Sequence, residues 1–184
     1  MDHEKYFGKS LKQNWETPDW VFEWCDNIFS FTLDTAAEEG NKKVKNFYSR
    51  EKSAMEHPWN GRVWCNPPYS KEKGVPGSVG VKEFLARGLD EFQKNEACQM
   101  ICFLVAAATD SRWFQDYCFS ADYLVFIKGR LKFNGAKNSQ TKGSALVIFT
   151  KIPLTADQLI RLQYRGVVVV KKSEDCRDYQ CDPV

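Results

Sequence analysis

Residues 62–70 read RVWCNPPYS, an apolar segment that runs directly into two prolines. Proline fixes φ, has no N–H to donate, and keeps the residue before it out of the helical region. Asn66, Pro67 and Pro68 are therefore expected to form neither helix nor paired strand. The stretch predicts a buried strand that ends in a rigid loop, with the Asn66 amide and the Tyr69 ring held at its tip.

Strand-like and helix-like segments alternate on both sides of this loop. Pro18, with Thr17 before it as an expected N-cap, opens a helix with apolar residues at helical spacing. Further helices are expected at 81–94, around 110–119 and, as a possibility, at 38–47. Apolar runs predict strands at 31–34, 62–65, 99–107, 122–128 and 144–150. This alternation predicts an α/β fold with a mostly parallel sheet and flanking helices.

Several loops with polar or small residues follow these strands directly. Ligands of parallel sheets bind outside the carboxyl ends of the strands. Asp34, Asn66–Tyr69, Ala107–Asp110 and Gly129–Phe133 each come after a predicted strand. We expect these four segments to lie along one edge of the sheet.

Composition limits the class of protein. A chain of 184 residues is the size of one domain, here 1–184. Seven cysteines, an odd number, favour reduced thiols over a disulfide framework. Because there is no long apolar run and the chain starts MDHEKYFGKS, we expect a soluble, cytoplasmic protein. No metal site is expected, and the oligomeric state cannot be read from the sequence.

The net charge, 26 − 24 = +2, is too small to indicate a nucleic-acid ligand. Its distribution is more informative, because basic residues alternate with an aromatic ring and amides in one loop: Lys128, Arg130, Lys132, Phe133, Asn134, Lys137, Asn138 and Lys142. Such a run is either a solvated face or a surface that contacts phosphates and bases. Both interpretations stay open at this point.

The loop at 66–69 offers a specific set of groups. The Asn66 side-chain oxygen and the Pro67 carbonyl could accept the two hydrogens of an exocyclic amino group, and Tyr69 could stack on the ring that carries it. An amino group held this way keeps its lone pair directed outward. The alternative, a stiff turn or a proline-rich peptide ligand, is disfavoured because the preceding segment has the character of a buried strand.

The sequence Asn66-Pro67-Pro68-Tyr69 resembles the catalytic motif of S-adenosylmethionine-dependent methyltransferases that act on adenine N6, cytosine N4 or protein glutamine. Other segments, in order over about 15–150, resemble the phage-type DNA N6-adenine methyltransferase (Dam) family: WETP (15–18), FTLDTAA (31–37), NK (41–42), WNG (59–61), TD (109–110), WF (113–114) and KGRLKFNG (128–135). The resemblance implies an abridged Rossmann-like class I methyltransferase fold, with a core over 15–150 and a C-terminal extension over 151–184.

The resemblance also implies roles for individual residues. The catalytic set is Asn66, Pro67, Pro68 and Tyr69. The residues expected to bind S-adenosyl-L-methionine are Thr17, Pro18, Asp34, Ala36, Ala37 and Asn66. Double-stranded DNA is the implied partner, and the residues expected to contact it are Tyr69, Arg130, Lys132, Phe133, Asn134, Lys137 and Asn138.

The chain departs from the standard methyltransferase pattern in two places. The glycine-rich cofactor loop is absent, and only about 30 residues separate Asp34 from Asn66, too few for two further strands. The alternatives are therefore a non-catalytic DNA-binding protein on this fold, or an enzyme for cytosine N4, RNA or protein glutamine. For Asp34 the alternative role is a helix N-cap, and for Phe133 an ordinary core residue.

Overall fold

The computed structural model describes residues 16–71, 74–134 and 138–171. Six strands form one sheet: Leu33–Asp34 (β1), Gly61–Cys65 (β2), Cys98–Ala106 (β3), Tyr123–Ile127 (β4), Ser144–Thr150 (β5) and Gly166–Val170 (β6). The helices are Asp19–Phe29 (α1), Val81–Lys94 (α2), Arg112–Tyr117 (α3) and Ala156–Gln163 (α4), and a 3₁₀ turn, Cys118–Ser120, follows α3. The predicted α/β class is confirmed.

The sheet is mixed, in the order β1-β2-β3-β5-β4-β6. β1, β2 and β3 pair in parallel, whereas β5 runs antiparallel between β3 and β4, and β6 runs antiparallel to β4. The first four strands therefore point the same way. Their carboxyl ends share one edge, which confirms the expected placement of the four loops.

Helices cover both faces of the sheet around a central β3. From Met100 to Val105 every side chain of β3 is buried. Alternate residues enter two clusters, because strand side chains point to opposite faces. Ile101 and Phe103 pack with α2 and α3, and Cys102 and Leu104 pack with α1 and α4.

Two local predictions near the amino terminus are wrong. The N-cap position of α1 is Pro18, not Thr17, because the Pro18 carbonyl accepts the first helical N–H groups, from Val21 at 3.0 Å and Phe22 at 3.3 Å. The possible helix at 38–47 is a series of turns and bends. Its chain instead returns alongside β1, where Asp34 N–H donates to the Asn46 carbonyl at 3.0 Å.

The sequence analysis missed α4 and β6, which follow the last predicted strand. β6 pairs with β4 from Gly166–Ile127 to Val170–Tyr123 and so forms an edge of the sheet. α4 begins with a capping box in which the Thr155 hydroxyl accepts the Gln158 N–H at 3.3 Å. Among the described residues, no helix is long and apolar enough to cross a membrane.

Candidate active site

The loop after β2 rests on a rigid base. Val63, Trp64 and Cys65 are buried, and Cys65 lies beside Phe103 of β3 in register. The backbone from 66 to 68 belongs to no helix or strand, as the two prolines predict. Since β2 lies between β1 and β3, it holds the Asn66 amide, which is half-buried, at a fixed position on the carboxyl edge.

The Tyr69 ring is positioned by residues of the loop after β4. It meets the Phe133 ring edge-on, with centroids 6.0 Å apart and planes at 88°. Burial raises the pKa of the Tyr69 phenol well above its ordinary value, and the nearby Gln140 side chain opposes that rise. The phenol therefore stays neutral at physiological pH, and its ring rather than its charge is available to a ligand.

Phe133 itself is only 1% exposed and belongs to the core cluster on the α1 side of the sheet. The structure places it behind Tyr69, as a core residue that supports the tyrosine ring. Its predicted contact with a base stays a prediction.

Gln140 is a site residue that the sequence analysis missed. It is buried, its N–H donates to the Leu131 carbonyl at 3.0 Å, and its Oε1 accepts the Ser144 hydroxyl at 3.3 Å. A single glutamine in a polar loop carries no pattern that would reveal this role. The Gln140 side chain lies near the hydroxyl end of Tyr69.

Asp34 ends β1 and is 3% exposed. One carboxylate oxygen accepts the Ala36 N–H at 3.2 Å, and the other accepts the Lys43 N–H at 3.1 Å. Burial raises the pKa of Asp34 to about 6, although these two hydrogen bonds and the Lys43 charge favour the carboxylate. No helix starts after Asp34, so the N-cap alternative is wrong, and the side chain instead organises the 35–43 turn.

That turn carries the two predicted small residues. Ala37 is buried and donates its N–H to the Tyr48 carbonyl at 3.1 Å, while Ala36 is half-buried. Methyl side chains let another molecule approach the backbone beside Asp34.

Thr17 and Pro18 reach the same edge through the loop after β4. Asn134 donates its backbone N–H to the Glu16 carbonyl at 3.1 Å and its side-chain amide to the Thr17 carbonyl at 3.5 Å. Two segments that are distant in sequence are thus joined beside the predicted site. Thr17 and Pro18 are both buried.

The basic loop is largely open to solvent. Arg130, Lys132, Asn134 and Asn138 are exposed, whereas Lys137 lies outside the described residues. Lys142 pairs with Asp110 at 3.8 Å. Within the described part of the chain, Arg130 and Lys132 form no ion pair.

The family model for DNA N-6-adenine-methyltransferase (Dam) matches residues 6–179. The chain belongs to the Dam family. It is 33% identical over 150 residues to the DNA N-6-adenine-methyltransferase of Haemophilus phage HP1, covering 77% of this chain and 80% of the relative. It is 27% identical over 125 residues to the enzyme of the same name from Escherichia phage T1, covering 66% of this chain and 48% of the relative.

Membership in the Dam family confirms the predicted class, an adenine-N6 DNA methyltransferase. The family implies a methyl donor and a DNA substrate. In the described ranges, no group of three or more histidine, cysteine, aspartate or glutamate side chains could hold a metal ion. The structure brings the predicted residues Asp34, Asn66, Tyr69 and Asn134 to the carboxyl edge of this Dam-family sheet.

Proposed function

We propose that this Dam-family protein transfers the methyl group of S-adenosylmethionine to the N6 amino group of adenine in double-stranded DNA. The observation that carries the proposal is the loop from Asn66 to Tyr69, which a buried central strand fixes at the carboxyl edge and which Phe133 supports from behind. The Asn66 side-chain oxygen and the rigid Pro67 carbonyl suit the two hydrogens of an amino group, and the Tyr69 ring suits the aromatic ring that carries it.

The acidic and small side chains beside β1 fit the cofactor. A carboxylate offers about four lone-pair positions, and Asp34 uses two of them for backbone N–H groups. It therefore retains acceptor capacity next to the small side chains of Ala36 and Ala37. The residues that would hold the cofactor are Thr17, Pro18, Asp34, Ala36, Ala37 and Asn66. When bound, S-adenosylmethionine supplies a methyl group activated by the adjoining sulfonium.

The target adenine has to leave the duplex, because its N6 is not accessible in the base stack. Tyr69 then replaces the stacking that the base loses. The Asn66 side-chain oxygen and the Pro67 carbonyl accept the two N6 hydrogens and direct the lone pair toward the methyl carbon. S-Adenosylmethionine, when bound, would supply the methyl carbon to N6 with cleavage of its carbon–sulfur bond, and the proton that N6 gives up would leave to solvent. The chain supplies orientation and hydrogen-bond acceptors rather than a strong base.

Exposed cations of the loop after β4 complete the DNA site. Arg130, Lys132 and Lys137 would contact phosphates, and Asn134 and Asn138 would contact phosphates or neighbouring bases. This assignment is supported by the exposure of Arg130, Lys132 and Asn138, and by the bonds from Asn134 that tie the loop to residues 16–17.

The test is methyl transfer from tritium-labelled S-adenosylmethionine to unmethylated duplex DNA, followed by nuclease digestion and separation of the nucleosides. Asn66→Ala should lower kcat by at least about 100-fold, since an oriented group that acts in the transition state is lost. Cofactor binding, measured by calorimetry, should be largely retained, because Asn66 is one of six residues that would hold the cofactor and its loss should weaken binding far less than it lowers kcat. Asn27→Ala, an exposed asparagine on α1, is the matched control and should retain full activity.

Label in N6-methyladenine that disappears in Asn66→Ala supports the proposal. Label in cytosine would overturn the choice of base. Cofactor binding without transfer to DNA would point to an RNA or protein substrate, and the absence of cofactor binding would leave a non-catalytic DNA-binding protein.

A further inference from the structure

A cleft of about 650 Å³ opens near the amino-terminal ends of β1 and β2, away from the catalytic loop. Its walls include residues 45–49, Lys52 and the Asn60-Gly61 pair. The 45–49 segment runs alongside β1, with a parallel bridge between Phe47 and Asp34. This segment contributes one part of the lining, and Asn60 and Gly61 at the start of β2 contribute another.

The lining of the cleft is basic and polar. Lys45 and Lys52 are exposed, and no acidic residue belongs to the lining. Within the described ranges neither lysine forms an ion pair, whereas the nearby Lys43 pairs with Asp19 at 2.6 Å. Lys52 Nζ lies 5.2 Å from the centroid of the Tyr48 ring, so a cation and an aromatic side chain share one wall.

Neutral hydrogen-bonding side chains complete the wall between the two lysines. Asn46, Ser49 and Asn60 all line the cleft. Amide and hydroxyl groups beside lysines are the groups that contact phosphate and sugar oxygens. The volume of the cleft lies within the usual range for sites of small organic ligands. The charge, the hydrogen-bonding groups and the size of the cleft thus all suit a ligand that carries phosphate and sugar groups.

We propose that the cleft binds the phosphate groups of a nucleotide, either within the DNA strand or as a free nucleotide. β2 separates the cleft at Gly61 from Cys65, the residue before the catalytic loop, by four residue steps, or about 13 Å. That distance is the length of about four base pairs, so one duplex could reach both places. The DNA source rests on the proposed function, whereas the free nucleotide does not.

The test compares the double variant Lys45→Ala/Lys52→Ala with the matched variant Lys82→Ala/Lys171→Ala, which removes two exposed lysines elsewhere. Equilibrium binding of duplex DNA is measured over a salt series, and binding of thymidine 5′-diphosphate is measured by calorimetry. This nucleotide carries no adenine that could engage the catalytic loop. Circular dichroism confirms that each variant is folded.

If the DNA backbone occupies the cleft, the slope of log K against log salt should become shallower by about 1.8 in the cleft variant alone. If a free nucleotide occupies it, thymidine 5′-diphosphate should bind the wild type, and that binding should be lost in the cleft variant while the DNA slope is unchanged. Equal behaviour of the two double variants toward both probes would overturn the proposal. Failure of the proposed function is distinguishable, because it would appear as missing methyl transfer rather than as a change in binding.

Discussion

The two halves of the sheet are built differently. In the antiparallel half, β5 pairs with β3 over seven residues, and every side chain from Ser144 to Phe149 is buried. In the parallel half, β1 contributes two residues and ends in a buried carboxylate, Asp34. The antiparallel half therefore contains a long, fully buried strand, whereas the parallel half ends at β1, a two-residue strand followed by polar turns.

This difference indicates how stability and chemistry are divided. Apolar burial stabilises the fold in proportion to the apolar area removed from water, and β5 contributes an unbroken run of buried apolar side chains from Ala145 to Phe149. The carboxyl ends of β1 and β2 hold the polar groups that the proposed reaction needs. The antiparallel half still reaches the site through Phe133 and Asn134, which contact Tyr69 and residues 16–17.

The largest effect that would support this division is expected from Phe149→Ala in β5. Phe149 is 2% exposed, and its ring lies 5.7 Å from that of Phe92 and 6.4 Å from that of Phe103. Removing it should lower the free energy of unfolding by about 3–5 kcal/mol, measured by urea denaturation. Val169→Ala on the exposed face of β6 should cost about 0.5 kcal/mol or less. Similar losses in both variants would contradict a core concentrated in β5 and β3.

The parallel half should show a distinctive pH dependence at Asp34. Its pKa is raised from 3.8 to about 6, chiefly by burial, so the folded state binds this proton more tightly than the unfolded state does. The stability that Asp34 contributes is therefore complete below pH 3.8 and is lost as pH rises through 6. Relative to Asp34→Asn, the wild type should lose about 2 kcal/mol between pH 4 and pH 7.

Urea denaturation of the wild type and of Asp34→Asn at pH 4 and pH 7 gives the free energy of unfolding of each protein. The pH-dependent change in the difference between the two proteins isolates Asp34, because the contributions of the other titrating groups cancel. A constant difference between the two proteins across this range would show that the carboxyl group is not desolvated in the folded state.

A smaller effect is expected where α2 packs on the sheet. A Cβ atom at Gly88 would overlap the Phe103 ring and lie 2.9 Å from the Trp59 ring. Gly88→Ala should therefore destabilise the protein by about 1–2 kcal/mol, because overpacking outweighs the gain in helix propensity. At Gly143 the nearest atom, Ala107 Cβ, is 3.8 Å away, so Gly143→Ala should be nearly neutral. Thermal unfolding of both variants checks the difference, and a stabilised Gly88→Ala would mean that the rings move aside.

The smallest effect concerns the loop by which the antiparallel half would contact DNA. Lys132→Ala should weaken DNA binding a few-fold, equally for all sequences, and reduce the salt slope by about one unit. Fluorescence anisotropy over a salt series measures both quantities, with Lys82→Ala as the control. An unchanged slope would remove Lys132 from the DNA surface while leaving the catalytic loop untouched.

The features that could be predicted from the sequence are those with local causes. Two prolines end β2 whatever surrounds them, and the apolar run of β3 indicates a central strand. The helix expected at 38–47 fails because the buried Asp34 carboxylate binds the Lys43 N–H and redirects the chain. β6 was missed although four consecutive valines favour a strand. An unbroken run of one residue type shows none of the apolar–polar alternation that marks a half-buried edge strand.

The proposed catalytic tetrapeptide could likewise be predicted from residues 66–69 alone. Gln140 could not, because its partner Tyr69 comes near only after β3, β4 and β5 have paired. Contacts of that kind depend on tertiary structure and leave no pattern in the sequence.

α1 is held by hydrogen bonds to α4, at least 130 residues further along the chain. The Trp24 indole donates to the Arg161 carbonyl at 3.1 Å, and the Gln158 amide donates to the Ile28 carbonyl at 3.2 Å. During synthesis α1 therefore emerges from the ribosome long before the residues that hold it. Contacts of such high sequence separation form late, after the entropy of closing the intervening loop has been overcome. A nascent chain should thus be unable to complete the packing of α1 until residues 156–163 have left the ribosome.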